Sequence, residues 1–407
     1  MTTLSNKKDV RTFTALLTFV YMVSYVTRIN YGAVISEMET ATGISRSLLS
    51  VALTGSFITY GVGQIISGFL GDRFSPKKLI TCGFIITTAM NLLIPLCDTP
   101  YLMIAVWSVN GFAQSLMWPP LVRLMTMLLS ERDYDKAVVR VSWGSSFGTI
   151  LVYLVSPLII SKFNWKGVFY FSALCGVIIL AVWNKFACDV NESVSPENHV
   201  GKPEKSQRVL FRPVMIMIML AVILQGMLRD GVTTWMPSYI AQTYNLGNAV
   251  SILTGVVLPI FSIICFRVTS LLYEKKLKNP LLCSGVIFAA GALAALGLYL
   301  LTGKSAAISV LLSALLTGCM HGVNLVLVCM IPSFFRKQGN VSAVSGIINV
   351  CTYVGSALST YGIALISERT SWRFTILTWF FIAVSGALIC LVNIKPWKKE
   401  VIKINKP

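Results

Sequence analysis

Residues 16–35 read LLTFVYMVSYVTRINYGAVI, and residues 215–236 read MIMIMLAVILQGMLRDGVTTWM. Each stretch stays apolar for about 20 residues, the length a helix needs to cross the ~30 Å hydrocarbon layer of a bilayer. Each also carries an arginine well inside it, Arg28 and Arg229. A charge at the bilayer centre costs about 2.5–3.5 kcal/mol on insertion scales, so such residues face a polar interior and mark function. The two arginines occupy equivalent places, in the first apolar stretch of each half of the chain. Two planar guanidinium forks offer paired N–H donors to an anion, above all to a phosphate. A small anionic substrate is therefore expected, with Arg28 and Arg229 as its binding residues.

Outward from these stretches the whole chain repeats the pattern. Of 407 residues, 55% are hydrophobic and 12% charged, with a mean hydropathy of +0.73. This is the composition of a multi-pass membrane protein rather than of a soluble domain. Apolar spans fall near 12–35, 47–70, 78–97, 101–129, 136–160 and 167–187, then near 212–242, 248–273, 280–301, 305–334, 340–366 and 373–394. The predicted fold class is an all-α membrane protein with twelve transmembrane helices in two six-helix bundles. The bundles are expected at 1–187 and 212–394. A polar, Pro- and Ser-bearing linker at 188–211 separates them, and a basic tail at 395–407 follows.

The net charge of +18 is gathered in alternate loops. Lys7, Lys8 and Arg11 lie on one side, with Arg73, Lys77, Lys78, Arg132, Lys136, Arg140, the linker, Lys275, Lys276, Lys278, Arg336, Lys337 and the lysines of the tail. The opposite loops hold Arg46, Lys162, Lys166, Lys304 and Arg369. Such alternation is the positive-inside pattern and not a nucleic-acid-binding face. It places both termini and the linker in the cytoplasm, in a plasma (cytoplasmic) membrane whose anionic lipid is a partner of that surface. The first span has no A-x-A cleavage site and is too long for a signal h-region, so it is read as retained. Ten cysteines are scattered singly, with no CxxC or Cys/His cluster, and are read as small buried hydrophobes. No metal and no cofactor are expected, and the chain is read as a monomer.

Gly68-Phe69-Leu70-Gly71-Asp72-Arg73-Phe74-Ser75-Pro76-Lys77-Lys78 joins the second and third spans. Its glycines permit close helix approach, Asp72 can accept from helix ends or from Arg73, and the lysines anchor the turn at the lipid surface. This stretch resembles the loop signature of the major facilitator superfamily, as does the six-plus-six layout with its central linker. The resemblance implies inverted repeats, with substrate bound near the midplane. The corresponding loop of the second half, Tyr273-Glu274-Lys275-Lys276-Leu277-Lys278, lacks the glycines and the Gly-Asp pair.

Further stretches narrow the likeness. They are Tyr25-Val26-Thr27-Arg28-Ile29-Asn30, the segment Gln114-Ser115-Leu116-Met117-Trp118-Pro119-Pro120, Leu228-Arg229-Asp230-Gly231-Val232 and Ser345-Gly346-Ile347-Ile348-Asn349. Together they resemble the organophosphate:phosphate antiporters, the glycerol-3-phosphate and hexose-6-phosphate transporters. By that resemblance Arg28 and Arg229 hold the phosphate of the substrate, or inorganic phosphate in exchange. The chain departs from the glycerol-3-phosphate pattern at Ile29, where a lysine is expected, and at Gln64, where another is expected. It departs again in Val141–Gly148, which lacks a histidine, and at Thr234 in place of an acid. The arginine pair is kept while its surrounding charge is reduced.

Other candidates follow from spacing. Tyr21, Tyr25 and Arg28 run at i, i+4, i+7 and share a helix face. Tyr60 and Tyr239 could also present hydroxyls, and Gln64 and Gln114 amides. His321 could hydrogen-bond substrate or titrate, and Asn324 lies one turn from it on the same face. Asp230, next to Arg229, is expected to face elsewhere on the helix and to make a structural or gating ion pair. Trp118 and Pro119 are expected to shape the fourth span, and Asp72 and Arg73 to act as structural or gating residues. Arg28, Arg229, His321 and Tyr25 are expected to line one strongly positive cavity.

Gly303-Lys304-Ser305 ends like a phosphate-binding loop, but Leu298 stands where that loop needs glycine, and no HExxH occurs. Neither an ATP-driven pump nor an enzyme is expected. Three functions fit the sequence. The first is exchange of a sugar phosphate or glycerol phosphate for inorganic phosphate. The second is proton-coupled symport of an organic carboxylate or sugar acid, which the lack of a mid-helix acid in the first half weakens. The third is a transporter-like membrane sensor of an anionic ligand, for which the short linker and tail leave little room.

Overall fold

The structure is a computed structural model that describes residues 4, 6–187, 212–338 and 341–405. The linker expected at 188–211 lies outside the described residues. Contacts divide the chain into two units, Met1–Ser195 with Gly247–Val256, and Pro196–Leu246 with Val257–Pro407.

The first unit begins with α1, Lys7–Thr42. Asn6 caps it by accepting from the Lys8 N–H, and Gly43 ends it with a left-handed φ of 69° and an N–H bond to Glu39 O. α2 spans Arg46–Arg73 and α3 spans Pro76–Leu93. Ser75 caps α3 and Pro76 opens it, so the Ser-Pro-Lys-Lys of the loop is a helix start as well as a basic turn. α4 (Pro100–Ser115), α5 (Trp118–Leu128), α6 (Glu131–Phe163) and α7 (Trp165–Phe186) complete the series. α1 packs on α6, α2 on α4 and α3 on α7. Gly144 and Gly148 press α6 onto the α1 backbone, where a Cβ would meet Thr18 O or Met22 O.

The fourth span, placed at 101–129 with Trp118 and Pro119 expected to shape or kink it, is broken into two helices. Pro119 and Pro120 lie in the first turn of α5, where a missing N–H costs no hydrogen bond, and the helix restarts there. Eleven helices among the described residues are long and apolar enough to cross a membrane. The remaining span is made by α4 and α5 together.

The second half holds α8 (Pro213–Tyr244), α9 (Asn248–Thr254), α10 (Val257–Lys275), α11 (Pro280–Leu301) and α12 (Ala306–Asn324). A π-helical stretch, Leu325–Met330, and a 3-10 stretch, Ile331–Gln338, follow before α13 (Val341–Arg369), α14 (Trp372–Val392) and α15 (Ile394–Asn405). α9 belongs to the first unit and packs on α6, so the eighth span is interrupted between Thr254 and Val257. Within the second unit α8 packs on α13, α10 on α12 and α11 on α14. First with fifth, second with fourth and third with sixth is thus the pairing in both halves. Gly226 and Gly355 make the α8–α13 contact close from both sides, since a Cβ at either would collide with Thr352 O or Ile223 O.

The basic tail expected at 395–407 is largely helical over its described part. α15 turns Trp397 inward, 1% exposed and edge-on to Phe334 at 5.4 Å between ring centroids. Glu400 pairs with Arg212 at the start of α8, while Lys395, Lys398 and Lys399 stay exposed.

Candidate functional site

In the first unit, Arg28 lies among rings. Its guanidinium carbon is 4.2 Å from the centroid of Tyr60, 5.6 Å from Tyr25 and 5.8 Å from Phe57. The elements explain the grouping, because Tyr21, Tyr25 and Arg28 run along one face of α1 while Phe57, Tyr60 and Gln64 run at i, i+3, i+7 on α2. Tyr21 packs on Tyr25 at 5.1 Å and on Trp118 at 4.7 Å between ring centroids. Trp118 therefore carries the face of α5 that meets α1, as well as opening the restarted helix. Tyr60 is buried and Gln64 partly buried, with the Gln64 Nε2 shielded from solvent. Ring faces orient a guanidinium through its π-surface rather than through its N–H edge, which is the edge that recognises phosphate.

The residue before Arg28 is fixed by a buried polar network. Asn91 Nδ2 donates to Thr27 O at 3.0 Å, and Asn110 Nδ2 donates to the same oxygen at 3.2 Å. Gln114 Nε2 donates to Thr27 Oγ1 and to Thr87 Oγ1, both at 2.9 Å. Thr87 in turn donates to Asn110 Oδ1. Asn30 Nδ2 donates to Asn91 Oδ1 at 2.7 Å and to Ser172 Oγ at 3.0 Å. Gln114, expected to contact substrate, is instead 2% exposed and spends its amide on α1 and α3. Satisfying amides inside a membrane bundle this way avoids the cost of an orphaned buried polar group.

In the second unit, Arg229 and Asp230 form a bidentate pair, with Nε to Oδ1 and Nη2 to Oδ2 both at 2.8 Å. Asp230 also accepts from Ser356 of α13. The expectation that Asp230 faces away from Arg229 is corrected. Neighbours on a helix point about 100° apart, but the long arginine stem folds back across that gap. The carboxylate offsets the Arg229 charge, so the surroundings of Arg229 are closer to neutral than the strongly positive setting expected from the sequence. Both side chains remain partly open, at 15% and 19% exposure.

His321 lies near this pair, within electrostatic reach of both Arg229 and Asp230. Its Nδ1 is 2.9 Å from Thr317 O and 3.1 Å from Ser262 Oγ. Asn324, at the end of α12, is partly buried. Tyr239 is not available as a substrate contact. It is fully buried, with its hydroxyl bonded to Thr302 at 3.0 Å and Ser309 at 3.1 Å. The side chains of Asp72 and Arg73 lie outside the described residues. Among the described residues, no group of three or more His, Cys, Asp or Glu could hold a metal ion.

Sequence reasoning missed Phe57, Ser262, Ser356 and the network around Thr27. A signal for the network was present, since Asn30, Asn91 and Asn110 each interrupt a different apolar span, and intramembrane amides need partners.

Comparison with known proteins agrees with this architecture. A probable hexose phosphate transport protein of Chlamydia muridarum is 26% identical over 161 residues, 40% of this chain and 35% of that protein. The chain thus spans about a third of the length of that relative. The membrane sensor protein UhpC of Salmonella typhimurium is 22% identical over 393 residues, 91% of this chain and 88% of that protein. A crystal structure of a bacterial homologue of the human lysosomal transporter Spinster superposes with a TM-score of 0.81. That match covers 97% of this chain and 99% of that one. At 12% identity it shows the fold alone. The Major Facilitator Superfamily profile matches residues 17–360, most of the chain. Twelve spans, the repeated helix pairing and that match lead to one assignment: the chain belongs to the Major Facilitator Superfamily.

Proposed function

We propose that the protein is a secondary transporter of a phosphorylated small metabolite, a sugar phosphate or glycerol phosphate, and that it exchanges this substrate for inorganic phosphate. Arg28 in the first unit and Arg229 in the second are its proposed phosphate-binding residues, with Tyr21, Tyr25, Tyr60 and Gln64 accompanying Arg28 and His321 and Asn324 accompanying Arg229. The observation that carries this reading is the setting of Arg28, a guanidinium in mid-span oriented by three aromatic rings. The hexose phosphate relative supports the same substrate class. The protein acts in a bacterial-type inner membrane with both termini cytoplasmic, as its loop charges favour.

A second reading has its own support. The relative aligned over nine-tenths of this chain is named a sensor, so the same site would bind a phosphorylated ligand without moving it. Counterflow of labelled phosphate in proteoliposomes decides between them. Exchange with unlabelled phosphate and with a sugar phosphate is the expected result. Saturable binding with no flux would establish the sensor instead, and proton-driven uptake without exchange would establish a carboxylate symporter.

A further inference from the structure

Two contacts decide which nitrogen of His321 carries its proton. Nδ1 lies 2.9 Å from the Thr317 carbonyl oxygen, which can only accept. It also lies 3.1 Å from Ser262 Oγ, and Ser262 spends its one hydroxyl proton on Leu258 O at 2.9 Å. Ser262 therefore accepts as well, and both contacts require an Nδ1–H donor. In a neutral imidazole, the majority form above the ordinary histidine pKa of about 6.5, the other nitrogen is then a bare acceptor. Nε2 has no hydrogen-bond partner among the described residues. The residue is only partly buried, and Phe266 packs against the ring at 5.9 Å between centroids.

This acceptor belongs to a residue within electrostatic reach of Arg229. The charged groups acting on it are Arg229 and Asp230, both on α8. Arginine N–H groups recognise any tetrahedral oxyanion, so they do not separate phosphate from sulfate. An acceptor does. Near neutral pH inorganic phosphate keeps at least one P–OH, and sulfate keeps none. A phosphate ester, with a second pKa of about 6, keeps one only as its monoanion. Set against Nε2, a P–OH donates a hydrogen bond, whereas a bare oxyanion brings lone pair against lone pair. Sites that hydrogen-bond a ligand O–H reject analogues lacking it far more strongly than apolar sites reject an isostere.

We propose, resting on the anion-binding reading of Arg229, that His321 Nε2 accepts the P–OH of bound inorganic phosphate and thereby makes the site select phosphate over sulfate. Ser262 and Thr317 O are positioning groups that hold the ring in the Nδ1–H tautomer.

The test is binding of radiolabelled inorganic phosphate to the full-length detergent-purified protein at pH 7.5, with unlabelled phosphate and sulfate as competitors. Wild type should prefer phosphate by at least about tenfold, the scale of one hydrogen bond with an anion. His321→Leu should weaken phosphate and bring the ratio towards one. His321→Gln, whose amide oxygen can reach the Nε2 position, should keep most of the preference. Ser262→Ala removes only one of the two acceptors at Nδ1 and should lower the ratio by a smaller factor, and it answers the question should His321→Leu not fold. A wild-type ratio kept in folded His321→Leu overturns the proposal and leaves the phosphate reading standing. Wild-type protein that binds no phosphate overturns both.

Discussion

Arg28 and Tyr60 face each other between α1 and α2, with the guanidinium carbon 4.2 Å from the ring centroid. Tyr60 is 4% exposed and Arg28 is partly buried. Desolvated cation–π contacts of this kind are worth about 2 kcal/mol or more. In the proposed site the ring holds the guanidinium and the N–H groups serve the ligand, and this division of labour gives the first prediction.

Tyr60→Leu should weaken phosphate binding by about 5- to 30-fold, the equivalent of one desolvated cation–π contact. Tyr60→Phe keeps the π-face and should weaken it less. Arg28→Lys should nearly abolish binding, because a lysine keeps the charge and loses the planar fork. Equilibrium phosphate binding on folded variants checks all three. Equal losses for Tyr60→Phe and Tyr60→Leu would show that the hydroxyl, not the ring face, matters.

The Arg229–Asp230 pair leads to the second. The Nε and Nη2 edge of the Arg229 guanidinium is engaged by Asp230 at 2.8 Å, so a ligand phosphate that uses this edge must share or displace the carboxylate. Asp230→Asn removes that competitor. Binding of phosphate should tighten severalfold, while exchange slows because release no longer has the carboxylate to reclaim the arginine. Removing one partner of a buried pair also leaves an uncompensated charge, so the apo variant should melt lower and recover more on adding phosphate than wild type does. Weaker binding in Asp230→Asn would mean that the carboxylate orients Arg229 rather than competing with the ligand.

How much of this was legible in the sequence depends on which physics each residue obeys. The spans, Arg28, Arg229 and the aromatic face of α1 follow from hydropathy and from helical periodicity, which are local properties. The break before Trp118 was signalled by Pro119-Pro120, although its form as two helices depends on where the chain can restart. The direction of Asp230 relative to Arg229 was misjudged because periodicity describes Cβ directions, whereas a long arginine side chain can reach across them. Gln114 could present an amide to substrate, and sequence alone does not say whether the partner of an intramembrane amide is ligand or protein. Its partners, Thr27 and Thr87, lie 87 and 27 residues away, and only the fold brings them together.

That network supplies the third prediction. Asn91 bonds to two backbone carbonyls and accepts from Asn30, all in the fully buried interior of the first unit. Asn91→Leu should destabilise the protein by about 1–3 kcal/mol, the cost of leaving buried polar groups unsatisfied. It should also loosen α1 beside Arg28. Thermal unfolding should show the first effect and a raised half-saturation for phosphate the second. Gln114→Leu should act in the same direction. A Gln114→Leu variant of wild-type stability that loses phosphate binding outright would return Gln114 to the substrate contacts.

The fourth concerns α15, which was read as a basic tail because its lysines dominate the composition. Its inward residues, Trp397 and Glu400, are spaced i, i+3 and share a face, whereas Lys395, Lys398 and Lys399 are exposed. Trp397 is 1% exposed and rests on Phe334, and Glu400 pairs with Arg212, where the chain enters α8. Truncating a buried tryptophan costs about 3–5 kcal/mol, a large loss for a terminal helix of 12 residues. Trp397→Ala should therefore undock α15 while the spans stay folded. Lys398 and Lys399 would then be cut by trypsin much faster than in wild type, with no change in the main thermal transition. Glu400→Gln should accelerate cleavage by a smaller factor, because the ring contact persists. Unchanged cleavage in Trp397→Ala would mean that α15 is held by contacts other than the Trp397–Phe334 and Glu400–Arg212 pairs.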